Sequence, residues 1–273
     1  MRIALISQND MPKTLEDAAV KLDLSVDKID ISSLSLMVES GRASVLSFDH
    51  YDAAIIMVPW KFMLFVEPML EELSERGVYS QIKPTAFNLL ANRPFTYYVM
   101  KSKGIPMPYM RIYSGKRVPE LGIVDMTYPV KAELYKSFNR TQQVIFESEE
   151  SLKSYLKGID TNYDVLVLMS YERGDIEENL VIGDEVYTIK KAWVESKSAH
   201  STYYNGVKMS DSHNAMIIGA AKNLGLDAGV IITCNGKVID ARISFDMDVY
   251  SNITGSDIAM KLLDFVGRRV KGS

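Results

Sequence analysis

The 273-residue chain has a single cysteine, Cys234. That excludes a disulfide framework and a thiolate metal cluster within the chain. The three histidines, His50, His200 and His213, are scattered without metal-ligand spacing and read as surface or loop residues. No apolar run approaches the roughly 20 residues that a membrane-spanning helix needs. The first residues, MRIALIS, form a strand-like run rather than a charged-then-apolar signal, so a cytoplasmic location is expected. Positive charge is not in excess: 31 Lys and Arg face 35 Asp and Glu, for a net charge of −4. This balance argues against a general nucleic-acid or anionic-membrane surface, while a local basic cleft stays open. Three motifs are also missing. No G-x-G-x-x-G follows the first strand, and there is no G-x-x-x-x-G-K-[ST] loop and no G-x-S-x-G elbow. The dinucleotide, P-loop and serine-hydrolase readings therefore have no motif to stand on.

What is present is an ordinary globular composition, 47% hydrophobic and 24% charged, in a chain long enough for one large domain or two to three small ones. Residues 1–85 alternate strand and helix. Strands are predicted over 2–7, 25–31 and 51–58, and helices over 14–22 and 65–76. In the first helix Leu15, Ala18, Ala19 and Leu22 share a face; in the second Met69, Leu70 and Leu73 point inward and Gly77 is the stop. Residues 83–90 read as a further short strand. This alternation implies a small parallel α/β sheet.

The stretch 87–113 is the joint of the chain. Pro94 stands at a predicted first helical position, Phe95, Tyr98 and Val99 give an apolar face, and Gly104, Pro106 and Pro108 close the helix and hold its exit extended. Beyond it the segments look antiparallel. Residues 129–135 and 142–146 are predicted strands around a polar turn, Ser148 caps a helix with the stripe Leu152, Tyr155 and Leu156, and 164–170 is an apolar strand. Residues 180–189 form a hairpin through Gly183-Asp184, and 229–233 with 238–243 form a second through Asn235-Gly236. Helices are predicted over 214–224 and 257–266, and 195–211 reads as the one long loop.

The candidate chemistry is a distributed basic set: Arg93 before the joint helix, Lys131 inside an apolar strand, Lys190 and Lys191 after the hairpin, and Arg242 in the last strand. A lysine in mid-strand must either snorkel or find an anion.

In this order the pieces GIPMP, PVKAEL, MSYE, LVIGDEVYTIKK, AAKNLGLDAGVIIT and KVIDARI make the chain resemble the ATP-grasp superfamily, and within it the RimK-like carboxylate–amine ligases, over nearly its full length. The resemblance implies an α/β and α+β architecture: an ATP-grasp fold with an N-terminal Rossmann-like domain over 1–90, a small subdomain over 91–160 and a C-terminal subdomain over 161–273. It implies ATP as cofactor, activation of a small-molecule or peptide carboxylate as an acyl phosphate, and displacement of the phosphate by an amine. The implied alternative is a nucleotide-binding homologue, regulatory or structural, that has lost catalysis. A homodimer or homotetramer without nucleic-acid or membrane partners is the expected assembly. By position, Arg93 and Lys131 would meet the phosphates, Leu168, Met169, Ser170 and Tyr171 the adenine, and Lys191 the phosphates from the hairpin strand. Lys131 and Arg242 are the catalytic candidates.

Asp240 would be a Mg2+ ligand. The sequence departs from the family at the other two ligand positions, where Ile231 and Arg242 stand, and in its flap, YKSFNRTQQ, which has no glycine. Asp246 and Asp248 are the candidate replacement ligands. Trp193, His200, Tyr203 and Tyr204 are candidates to line an acceptor pocket.

Overall fold

The computed structural model describes residues 1–39, 42–45, 48, 50–115, 126–137, 139–158, 163–196 and 199–272. The chain divides into two compact units: Met1–Ala91 with Asp175–Thr233 and Asp240–Ser273, and Asn92–Gly174 with Cys234–Ile239.

The first unit opens with β1 (Arg2–Ser7), α1 (Lys13–Lys21), β2 (Ser25–Asp30), a small hairpin of β3 (Leu36–Glu39) and β4 (Arg42–Val45), then β5 (Ala53–Met57), α2 (Met63–Glu75), β6 (Tyr79–Ser80) and α3 (Pro84–Ala91). Strands β2, β1, β5 and β6 lie side by side in that order, all parallel. The central strands are covered on both faces, which is why Ile3 to Ile6 and Ala53 to Ile56 are continuous apolar runs and wholly buried. The side chain of Gln81 acts as a length of strand beside β5: its amide oxygen accepts from Ile56 N–H at 3.0 Å and its amide nitrogen donates to Ile56 O at 2.8 Å. Residues 83–90, expected as a strand, are helix α3 instead. Pro84 starts it where a missing N–H costs nothing, and Ala86, Phe87 and Leu90 give it a buried face.

The second unit contains α4 (Arg93–Ser102), β7 (Met110–Ser114), β8 (Val130–Lys136), β9 (Asn139–Phe146), α5 (Glu149–Gly158) and β10 (Val165–Ser170). Its sheet has the order β7-β10-β8-β9, with each neighbouring pair antiparallel. One face packs Val130, Ala132, Leu134, Leu166 and Leu168 under Leu152 and Leu156 of α5. The Ser148 cap is formed, with its hydroxyl oxygen accepting from Ser151 N–H at 3.2 Å. Helix α4 turns a different face inward from the one its spacing suggested. Thr96, Tyr97 and Met100 are buried, whereas Phe95 is 51% and Tyr98 64% exposed, their rings stacked 6.4 Å apart. Both stripes have helical spacing; the stripe that meets a buried polar partner, through the Tyr97 hydroxyl, is the one that turns in.

The chain then continues as β11 (Ile176–Ile182), β12 (Glu185–Ser196), β13 (Ala199–Val207), α6 (Asp211–Asn223), β14 (Ala228–Cys234), β15 (Lys237–Arg242), α7 (Met247–Thr254) and α8 (Ile258–Lys271), all in the first unit except Cys234–Ile239. These strands form a sheet of order β13-β12-β11-β14-β15. Both hairpins are made at the expected turns. Residues 195–211, expected as a loop, contain most of the edge strand β13, paired antiparallel to β12 from Thr188↔Val207 to Ser196↔Ala199. An edge strand is held by backbone bonds along one side and can be polar, so hydrophobic pattern does not announce it. Helix α7 is likewise new.

One apolar core joins the early and late parts of this unit. Ile3, Leu5, Leu15 and Ile55 belong to the same buried cluster as Leu180, Val230, Leu262 and Val266, and α1 packs on α8. Each such side chain contributes about 1.5–3 kcal/mol by leaving water. No described helix is long and apolar enough to cross a membrane.

Candidate functional site

In the second unit the predicted Lys131 does find an anion. Its Nζ lies 3.0 Å from Oε1 of Glu133, a carboxylate with no exposed surface. The two residues are i and i+2 on β8 and therefore share one face of the sheet. Glu133 also accepts from Tyr135 OH at 2.7 Å, Tyr97 OH at 3.3 Å and Arg140 NH1 at 3.1 Å. Burial alone would push the Glu133 carboxyl upward. The Lys131 charge and the Tyr135 hydrogen bond, with Arg140 behind them, bring it below the ordinary carboxylate range. Burial, then Tyr97 and Glu133, raise the Tyr135 phenol, and the charge of Arg93 at the start of α4 opposes that rise. Lys131 and Arg140 thus share one carboxylate, with Arg93 near enough to act on Tyr135.

The predicted hinge lies on the neighbouring strand. Met169 pairs with Lys131 across β10 and β8, and Ser170 pairs with Val130. Leu168 and Met169 are buried, and Tyr171 is partly exposed. The Ser170 and Tyr171 amides donate to Tyr109 O and Pro129 O, each at 2.8 Å.

The first unit contains a cavity of about 730 Å³. The β1–α1 loop lines one side, including Asp10, and the segment after β15 lines another, including Asp246, Asp248 and Tyr250. Lys191 and Tyr204, paired across β12 and β13, also face it, with the Lys191 ammonium 5.7 Å from the Tyr204 ring centre. Arg242 lines the cavity with its guanidinium held by Glu178 of β11 in an ion pair. The Arg242 Nε–H and the hydroxyl of Tyr250 are both buried on this wall, and an Arg242 N–H donates to the Tyr250 oxygen. Burial and the Glu178 carboxylate push the Tyr250 phenol upward, while Arg242 pulls the other way. The remaining pocket candidates, Trp193, His200 and Tyr203, have side chains outside the described residues.

Against this geometry the chain was compared with known proteins. No family model matches it. It is 20% identical to a probable alpha-L-glutamate ligase 2 of Shewanella denitrificans over 294 aligned positions, covering 100% of this chain and 97% of that one. It is 22% identical to a probable alpha-L-glutamate ligase of Legionella pneumophila, covering 81% of this chain and 78% of that one. Among solved structures it superposes with a TM-score of 0.72 on the ATP-grasp ligase PsnB, complexed with minimal precursor, Mg and ADP. The identity there is 13%, and the match covers 98% of this chain and 97% of that chain. The chain has the ATP-grasp fold.

The residues that the resemblance puts at the Mg2+ positions do not make a magnesium site. Mg2+ asks for a near-octahedral shell of oxygen donors. Ile231 offers only a backbone carbonyl, which accepts from Asn179 Nδ2 at 3.0 Å, and Arg242 offers a cation. Asp240 accepts from the next amide, Ala241 N–H, at 2.8 Å. Asp246 caps α7 by accepting from Val249 N–H at 3.0 Å, and Asp248 accepts the Thr14 hydroxyl at 2.5 Å. Among the described residues no group of three or more His, Cys, Asp or Glu is placed to hold a metal ion.

Several residues of these clusters were absent from the sequence reading, among them Glu133, Arg140, Asp10, Glu178 and Tyr250. Glu133 had a signal, its i+2 spacing from a mid-strand lysine. Glu178 and Arg242 are separated by 64 positions, and Tyr250 sits on an unexpected helix, so only the fold brings them together.

Proposed function

We propose that this protein is an ATP-dependent carboxylate–amine ligase. The γ-phosphoryl group passes to a carboxylate oxygen of the first substrate and ADP leaves. The amine nitrogen then attacks the acyl carbon, the bond from that carbon to the phosphate oxygen breaks, and the nitrogen loses a proton to give the amide. The observation that supports this reading best is the cationic cluster on β8 and β9. Lys131, opposite Met169 on the next strand, and Arg140 share a single carboxylate, two cations to one anion, which leaves positive charge for nucleotide phosphates. The curated relatives, named as glutamate ligases, and PsnB, named as an ATP-grasp ligase with a precursor substrate, support the reaction class. No step is assigned to a metal, because Ile231, Asp240 and Arg242 do not form a magnesium site.

Thermal unfolding with nucleotide tests the first half. A ligand that binds only the folded state stabilises it by about 2.7 kcal/mol at a hundred times its Kd. ATP or ADP at millimolar concentration should raise the Tm, and Lys131→Met should remove most of the shift. ADP release with pools of carboxylates and amines tests the second half. A melting curve unmoved by millimolar nucleotide, with and without Mg2+, ends this reading.

A further inference from the structure

We propose that the nucleotide this protein binds is the metal-free polyphosphate anion, held by side-chain cations without Mg2+. The proposal rests on the nucleotide-binding half of the reading above, and it sets this chain apart from PsnB, which was solved with Mg and ADP together.

A magnesium ion at a phosphate site is tied to its protein by one or two carboxylates, while phosphate oxygens and waters complete the octahedron. Such a carboxylate needs an oxygen that can turn to the metal. In the second unit the carboxylate beside the cations is Glu133, and both of its oxygens are engaged. Oε1 meets Lys131 Nζ at 3.0 Å and Arg140 Nη1 at 3.1 Å, and Oε2 accepts from Tyr135 OH at 2.7 Å and Tyr97 OH at 3.3 Å. The residue has no exposed surface. A metal ion would have to strip these partners from a buried group, and a buried partner left unmatched costs stability. Lys131 and Arg140 themselves keep 14% and 38% of their side chains exposed, so the groups that can reach a phosphate here are cations.

In the first unit the carboxylates have a different obstacle. Glu178 is committed to the Arg242 guanidinium, which also bonds to Tyr250, so this cation is held from β11 and α7 at once. Asp240 lies two positions before Arg242 on β15 and shares its face of the sheet, and one of its oxygens accepts from Ala241 N–H at 2.8 Å. An arginine does not lose its proton in a protein, so a permanent positive charge stands on the face where a divalent cation would have to bind.

The consequence is a sign. Mg2+ on a nucleotide cancels part of the phosphate charge that Lys131 and Arg140 attract, and this chain returns no carboxylate contact in exchange. Magnesium should therefore leave nucleotide binding unchanged or weaken it.

Calorimetric titration of the full chain with ADP, in EDTA and in excess Mg2+, reads this directly. The Kd in EDTA should be lower than the Kd in Mg2+, or within about threefold of it. Arg140→Gln and Lys131→Met should each weaken ADP binding in EDTA by about tenfold, in proteins shown to be folded by circular dichroism. The Arg140 variant guards against loss of the fold, since its side chain is the more exposed of the two. A Kd raised more than about threefold by EDTA overturns the proposal and leaves the ligase reading intact. Unchanged ADP affinity in both variants overturns it as well. No binding of ADP in either buffer removes this proposal and the ligase reading together.

Discussion

Replacing Glu133 by glutamine tests whether the buried cluster of the second unit is held by charge. Glutamine keeps the shape and can still accept from Tyr135. Its amide, however, turns donors toward Lys131 and Arg140 or leaves them unmatched. Breaking a buried pair by removing one partner costs about 3–5 kcal/mol, because the other charge is stranded. Here Arg140, with 38% of its side chain exposed, can return to water, while Lys131, with 14%, cannot readily do so. The loss should thus lie near the lower end, about 3 kcal/mol, and at about 2–4 °C per kcal/mol the Tm should fall by about 6–12 °C. The pH dependence has a defined sign. The folded-state value of Glu133 is depressed, so its contribution is present above the ordinary glutamate value of about 4.3 and is lost as pH falls through the lower folded value. The gap between wild type and variant should hold steady from pH 7 to 5 and close only below about pH 4. The double variant Lys131→Met, Glu133→Gln removes both charges and should recover much of the loss, by calorimetry or circular dichroism melts. A single variant within 1 °C of wild type, or a double variant as unstable as the sum of two singles, would refute the argument.

Two further outcomes follow from local geometry. Gly236→Ala and Gly183→Ala both force an alanine into left-handed backbone, at φ of +71° and +61°. A Cβ at 236 meets nothing within 4 Å, whereas at 183 it would lie 2.5 Å from Cε2 of the packed Phe265. The first should cost about 1–2 kcal/mol and the second about 1–3 kcal/mol more, readable as different denaturant midpoints with the same m-value. Asn179 is fully buried and its amide serves Ile231 O, Thr233 and Thr188 together. Asn179→Ala should destabilise by about 2–4 kcal/mol because several partners are left unmet, and Thr188→Val by about 1 kcal/mol; equal effects would mean that the network is not shared.

Much of the fold was legible because its signals are local. The continuous apolar runs of β1 and β5, the Ser148 cap, and the turns at Gly183-Asp184 and Asn235-Gly236 depend on residues within a few positions of each other. The errors arose where neighbours in space decide. Residues 83–90 fit strand or helix on hydrophobicity; Pro84 at a helix start and the bond from Lys83 N–H to Gly225 O settle the matter. Strand β13 owes its existence to the backbone of β12. Helix α4 had two plausible apolar stripes, and a hydroxyl reaching Glu133 chose between them.

The site shows the same division, with a chemical consequence. Lys131 stood out because a mid-strand lysine needs an anion, and the anion is two residues away. Arg242 stood out as a cation in the last strand and as a departure from the family pattern, and alone it suggested a cation in place of a metal ligand. Its pairing with Glu178 changes that reading, since a guanidinium already matched to a carboxylate adds direction more than charge. Electrostatic character therefore differs between the clusters: one carboxylate between Lys131 and Arg140 in the second unit, and three aspartates beside Lys191 on the cavity wall of the first. A reaction that joins an anionic, phosphorylated partner to an amine needs opposite preferences for its two reactants. On the proposed reaction the cationic cluster of the second unit would meet the phosphorylated partner. Substitutions that remove positive charge from that cluster should accordingly weaken nucleotide binding, read as a smaller Tm shift with ATP.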